Sequence, residues 1–277
     1  LHGGFMTEAG SNWQVVVMRP GSSPIYNLAE SVAKVNLPKN ATEKDLFIAR
    51  SVNQAVLQSS SLGLVELIGQ NRKEADENIL ILVDQFEEVF RFQDAKNEEY
   101  ANERLAFIKL LTRAVEQTEL PIYVVMTMRS DFIGDCAKFP QFTSMINDSH
   151  YLIPQMTREQ KRTAILGPVA VGGGKMTSRL VQQLLNDLGD NPDQLPILQH
   201  ALMRTWNYWT KHETLENPID IYHYEAIGGM EEALSQHANE AYEELNDSQQ
   251  ELCERIFKCL TQKGEDGRGV RRPTHLA

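Results

Sequence analysis

ILILVDQFEEVF, residues Ile79 to Phe90, decides how this chain is read. Five consecutive apolar residues, Ile79 to Val83, leave no polar face, the pattern of a strand covered on both sides in a parallel sheet. Asp84 follows at once, with Glu87 and Glu88 close behind. Open α/β sheets bind ligands at the C-terminal ends of their strands, so a cluster of carboxylates is set where a ligand would sit. Asp84 is the candidate metal ligand. Glu87 and Glu88 are candidates for positioning a catalytic water; on an extended chain they point to opposite sides, so only one can face a substrate, and Glu88 is preferred. The alternative is a set of surface carboxylates closing an ordinary strand.

A second buried run, IYVVMTM, Ile122 to Met128, ends in Arg129, Ser130 and Asp131. A guanidinium at a strand end beside carboxylates suits a residue that reads phosphate, because Arg pairs with phosphate oxygens in a bidentate way; the alternative is an ion pair with Asp131 or Asp84. WQVVVM, Trp13 to Met18, reads as a further strand, ended by Arg19-Pro20-Gly21. Helical patterns run from Pro24 to Val35, from Thr42 to Gln58 (Leu46, Ala49, Val52 and Val56 on one face, Thr42 and Asp45 forming a capping box) and from Asn102 to Gln117 (Leu105, Ile108, Leu111 and Val115 on one face). Strands alternating with such helices predict βαβ units and a parallel sheet, with Tyr151 to Ile153 as its last, short strand. After Pro154 helices follow one another: Thr157 to Leu166, Ser178 to Leu188, Leu195 to Lys211, Met230 to Leu245 and Ser248 to Gln262.

Together these segments resemble the STAND class of P-loop NTPases, and closely the novel STAND NTPase family of bacterial signalling proteins. Asp84-Gln85-Phe86-Glu87-Glu88 matches the family's Walker B form, in which the Asp holds Mg²⁺ on the nucleotide phosphates. TMRSDFIGD, Thr127 to Asp135, is similar to the segment carrying its sensor arginine, and LPILQHAL, Leu195 to Leu202, to its lid motif, whose proline (here Pro196) packs near the adenine; Gln194 stands where relatives often carry Gly. The match continues through Ile227 to Leu245 and into GVRRPTHLA at residues 269 to 277. The resemblance implies an α/β P-loop NTPase core at residues 1–154, an all-α lid at 155–246 and the start of a winged helix at 247–277. It also implies a nucleotide-dependent regulatory switch in which ATP, or else GTP, is held with Mg²⁺ between sheet and lid. Its partners would be sensor and effector domains of the same polypeptide, often repeat arrays, and a homo-oligomer is compatible with it.

No G-x-x-x-x-G-K-[ST] occurs in the chain. Gly172-Gly173-Gly174-Lys175-Met176-Thr177 is the only look-alike; it lacks the first glycine, has Met176 in the hydroxyl position and follows a helical pattern rather than a strand, so it reads as a flexible loop. Relatives carry the phosphate loop just upstream of the segment matching Leu1 to Asn12, and the chain starts with Leu. The expectation is that the first strand and phosphate loop lie before residue 1. If they do not, the second reading is a protein-interaction scaffold that keeps the fold without turnover. A third is a DNA-binding regulator, supported only by Arg268, Arg271 and Arg272.

With 38 acidic against 27 basic side chains in 277 residues, the net charge of −11 argues against a general nucleic-acid surface. No long apolar run or secretory pattern is present, which predicts a cytoplasmic protein without membrane segments. Cys136, Cys253 and Cys259 are wrongly spaced for zinc and read as reduced core thiols. The seven histidines form no ligand pairing, and His200 reads as a packed helix residue.

Overall fold

The computed structural model describes residues 12–74, 76–91, 98–189, 194–263 and 269–271. The chain forms two compact units, Leu1–Leu152 and Ile153–Ala277.

The first unit runs β1 (Trp13–Met18), α1 (Pro24–Asn36), α2 (Glu43–Ser59), α3 (Gly63–Asn71), β2 (Asn78–Val83), α4 (Glu88–Arg91), α5 (Glu98–Glu116) and β3 (Ile122–Met126). A 3₁₀ turn (Ser130–Phe132), α6 (Ile133–Cys136) and α7 (Pro140–Ser149) complete it. The strands pair in parallel in the order β1-β2-β3, with Met18 opposite Val83 and Val83 opposite Met126. Local sequence starts the helices: Pro24 and Pro140 stand in first turns, where proline's missing N–H is not needed, and Thr42 and Asp45 exchange the two bonds of a capping box.

Packing corrects three expectations. Paired residues of neighbouring strands share a face, and one face (Val16, Ile79, Ile81, Val83, Ile122) is buried under Leu28, Leu64, Leu67, Phe107 and Leu111 of the helices. The opposite face is open among the described residues: Val17 is 56%, Tyr123 42% and Val125 48% exposed. Among the described residues the all-apolar run of β2 is thus fully buried on one side, with Leu80 and Leu82 part-buried on the other. On α2 the inward positions are Asn53 and Leu57 while Val52 is exposed, because Asn53 satisfies its amide by donating to the Ala29 carbonyl at 3.1 Å. On α5 the buried stripe is Phe107, Ile108, Leu110, Leu111 and Ala114, leaving Leu105 and Val115 outward.

Tyr151 to Ile153 forms no strand. With no partner among the described strands to accept its backbone bonds, the segment stays irregular and its side chains exposed.

The second unit contains α8 (Arg158–Val171), α9 (Ser178–Leu188), α10 (Leu195–His212), α11 (Ile221–Glu225), α12 (Gly229–Glu243), α13 (Asp247–Leu260) and an antiparallel pair, β4 (Thr261–Lys263) and β5 (Gly269–Arg271). Its core gathers Ile165, Val169, Leu180, Leu184, Ala201, Trp209, Ile219 and Tyr224. α8 runs past the expected end at Leu166 and through Pro168. Val169 is buried one turn after Ile165, so core packing outweighs the bond that proline removes. Of glycines 172–174, which form a turn after α8, Gly172 and Gly174 lie against Trp206 while Gly173 faces open space. A Cβ on Gly172 would lie 2.5 Å from Trp206 Cη2, Gly173 has φ +77°, and the Gly174 N–H closes on the Val169 carbonyl at 3.0 Å. α13 buries no residue and exposes Leu252, Ile256 and Phe257. Arg268, Arg272 and the segment 1–11 lie outside the described residues.

Candidate functional site

The register that pairs Met18, Val83 and Met126 brings the next residue of each strand to one sheet edge: Arg19, Asp84 and Thr127. The Asp84 N–H donates to the Met18 carbonyl at 2.8 Å and the Thr127 N–H to the Val83 carbonyl at 3.0 Å, so the ladder continues through all three. Thr127 then fixes the turn. Its hydroxyl donates to Asp84 Oδ1 at 2.7 Å and accepts from the Gln85 N–H at 3.0 Å, while its carbonyl accepts from the Phe86 N–H at 2.8 Å. Those bonds hold Gln85 at φ +57°, a left-handed conformation that costs a non-glycine residue about 1–2 kcal/mol.

The turn at Gln85 overrides the extended geometry expected for the two glutamates. Glu87 folds under and is 6% exposed, with its Oε2 buried and without a hydrogen-bond partner among the described residues. Glu88 opens α4, and its Oε2 accepts the Gly21 N–H at 2.9 Å. They are separated by burial and partners, not by the alternation of a strand.

Asp84 accepts from Arg19 on its other oxygen, Nε and Nη2 both lying 3.0 Å from Oδ2. The Thr127 hydroxyl first, and Arg19 second, hold the Asp84 carboxyl below its ordinary range against the opposing effect of burial. Arg129 leaves β3 on the strand next to that of Asp84, at the same sheet edge, but its side chain forks onto Asp131, Nε to Oδ1 at 3.1 Å and Nη2 to Oδ2 at 3.0 Å. Pro196, in the second unit, is exposed in the first turn of α10, after Gln194. Arg19 and Thr127 were not among the sequence candidates. For Arg19 the signal was available, since it stands one residue past its apolar strand as Asp84 does, whereas Thr127 fell inside the run Ile122 to Met128 and becomes a strand-end residue only because β3 stops at Met126.

Mg²⁺ takes oxygen donors and is usually held by one or two carboxylates together with water and phosphate. The Asp84 carboxylate and Thr127 hydroxyl fit that donor set, and the lack of a cluster of three or more metal-binding side chains among the described residues does not conflict with it. Asp84 is about one-third exposed, so it is open to solvent.

The other singled-out residues serve packing. Thr177 caps α9 and donates to Asp220 at 2.7 Å instead of offering a phosphate hydroxyl. His200 stacks on His237 with ring centroids 5.0 Å apart. Of the cysteines only Cys136 is a core thiol, pushed up to about 11 by burial; Cys253 is half-buried and Cys259 exposed. No helix among the described residues is long and apolar enough to cross a membrane.

No curated protein matches the chain. The Novel STAND NTPase 1 family profile matches residues 2–277, an interval that takes in the strand-end acids, Arg129 and the helical unit alike. The chain belongs to the Novel STAND NTPase 1 family.

Proposed function

We propose that this chain is the nucleotide-dependent switch module of a signalling protein, binding ATP with Mg²⁺ and, less favoured, GTP. The observation that carries the reading is the convergence of Asp84, Thr127 and Arg129 at the C-terminal ends of adjacent parallel strands, where α/β sheets take ligands. In this proposal Mg²⁺ neutralises developing charge on the phosphates. Asp84 holds it, Thr127 orients Asp84, Arg129 reads the phosphate after leaving Asp131, Pro196 meets the base, and Glu88 or Glu87 orients water. Phosphate binding also needs a lysine and backbone N–H groups of the kind a G-x-x-x-x-G-K-[ST] loop supplies, and residues 1–277 contain no such motif. We propose that a segment outside these residues provides it, and that residues 155–246 act as the lid and 247–277 as the start of a winged helix, in keeping with a helix followed by an antiparallel pair.

Calorimetry with ATP and Mg²⁺ tests the reading on residues 1–277 and on a chain extended upstream. Three missing charge-assisted bonds of about 1.5–3 kcal/mol each amount to on the order of 5 kcal/mol, more than a thousandfold in affinity, so only the extended chain is expected to bind at micromolar concentration. In it, Asp84→Asn should weaken Mg²⁺-dependent binding, whereas Glu88→Gln should slow hydrolysis by about a hundredfold with nucleotide still bound. An equal loss of affinity in both variants would overturn the assigned roles. An extended chain that binds no nucleotide would favour the scaffold reading, which the self-satisfied pairs Arg19–Asp84 and Arg129–Asp131 also suit.

A further inference from the structure

Both oxygens of Asp84 are engaged by this chain's own donors: Thr127 on Oδ1 at 2.7 Å and the Arg19 guanidinium on Oδ2 at 3.0 Å. The two partners are not equivalent. A hydroxyl can turn its hydrogen away and coordinate beside a cation, whereas a guanidinium has no lone pair to offer and carries a like charge. Mg²⁺ approaches its oxygens to about 2.0–2.1 Å, so on Oδ2 it would stand beside the like-charged Arg19 guanidinium and compete with it for that oxygen. The segment after Arg19 is tied to the last acid of the same motif, because the Gly21 N–H donates to Glu88 Oε2 at 2.9 Å. Gly21 stands at φ +57°, and Asn27 of α1 donates to the Pro20 carbonyl at 2.8 Å. One short loop between β1 and α1 therefore contacts both Asp84 and Glu88.

We propose that Arg19 is a latch on Asp84 that exchanges with a divalent cation, so that the β1–α1 loop has two states, bound to the acids without the cation and released from Asp84 with it. The proposal rests on reading Asp84 as the metal ligand and adds how that site is regulated. The Arg19 side chain is 62% exposed, and exposed pairs are worth only about 0–1 kcal/mol. The latch is thus weak enough for a cation to open, and the loop becomes an element whose state follows metal occupancy, the differential contact a switch requires.

Mn²⁺ alone is the probe, its binding to the full-length protein followed by electron paramagnetic resonance, and exchange of the peptide spanning Arg19–Tyr26 followed by mass spectrometry. Arg19→Gln is expected to tighten Mn²⁺ binding about three- to fivefold, from the size of an exposed pair, and Asp84→Asn to remove it. Mn²⁺ should speed exchange in that peptide for the wild type and not for Asp84→Asn. Unchanged affinity in Arg19→Gln, with binding lost in Asp84→Asn, would overturn the latch while leaving Asp84 as the ligand. Unchanged binding in Asp84→Asn would overturn the metal-ligand reading and the latch together.

Discussion

His223 is the most completely buried titratable ring described, and its protonation state follows from geometry. Its Nδ1 accepts the Asp220 N–H at 2.9 Å, which places the proton of a neutral ring on Nε2, 4.0 Å from Glu213 Oε1. Burial pushes the ring below its ordinary value. Asp220, which completes the capping box of α11, is held well below the carboxylate range by Arg179 first and by Thr177 and the Ile221 N–H in addition. Both groups have a depressed folded pKa, so both contribute stability at higher pH that is lost on acidification. The His223 share is lost as pH falls below about 6.5, and the Asp220 share only below about 4. Denaturation of the chain between pH 7.5 and 3 should therefore show two successive losses, and His223→Gln should remove the first. A wild type whose stability is flat from pH 7.5 to 5 would contradict this.

At the scale of elements, α2 and α3 approach so closely that only glycine fits at their joint. A Cβ on Gly63 would meet the Val56 carbonyl oxygen at 2.4 Å and Leu57 Cα at 2.9 Å, both backbone atoms that cannot swing aside. Gly63→Ala is expected to destabilise the first unit by about 1–3 kcal/mol, read as a lower urea midpoint. Thr42→Ala, which removes the capping box of α2, should cost about 1 kcal/mol. If the alanine at 63 were neutral, the two helices would have to separate more easily than their backbone contact implies. The capping box was legible because its residues are local in sequence. The register of α2 was not: Val52 fits an apolar stripe as well as Leu57 does, and only the Ala29 carbonyl makes Asn53 the better inward residue.

The molecule as a whole leaves β3 with an outer edge that pairs with no described strand, beside an open sheet face carrying Val17, Tyr123 and Val125. Unpaired edges with apolar neighbours template association. Residues 1–277 expressed alone are expected to sediment as concentration-dependent oligomers, an upstream extension of several tens of residues should restore a monodisperse chain, and Val125→Lys should reduce association by charging the open face. A monomeric, cooperatively melting 1–277 with a strongly protected Val124 amide would refute the expectation.

The sequence by itself determined the three parallel strands, several of the helices and the strand-end chemistry. Apolar runs gave the strands, helical periodicity gave α1, α2, α5 and most of the second unit, and the acids after Val83 marked the candidate site, because each of these depends on residues close in the chain, whereas α3 and α7 carried no pattern read from the sequence. Tertiary structure decided which strand face is covered, that Tyr151 to Ile153 lacks a ladder, that Gln85 turns the chain and separates Glu87 from Glu88, and that Arg19 and Thr127 grip Asp84. Those outcomes depend on pairing register between segments more than forty residues apart, and register is set by the packing of the whole sheet rather than by any local pattern.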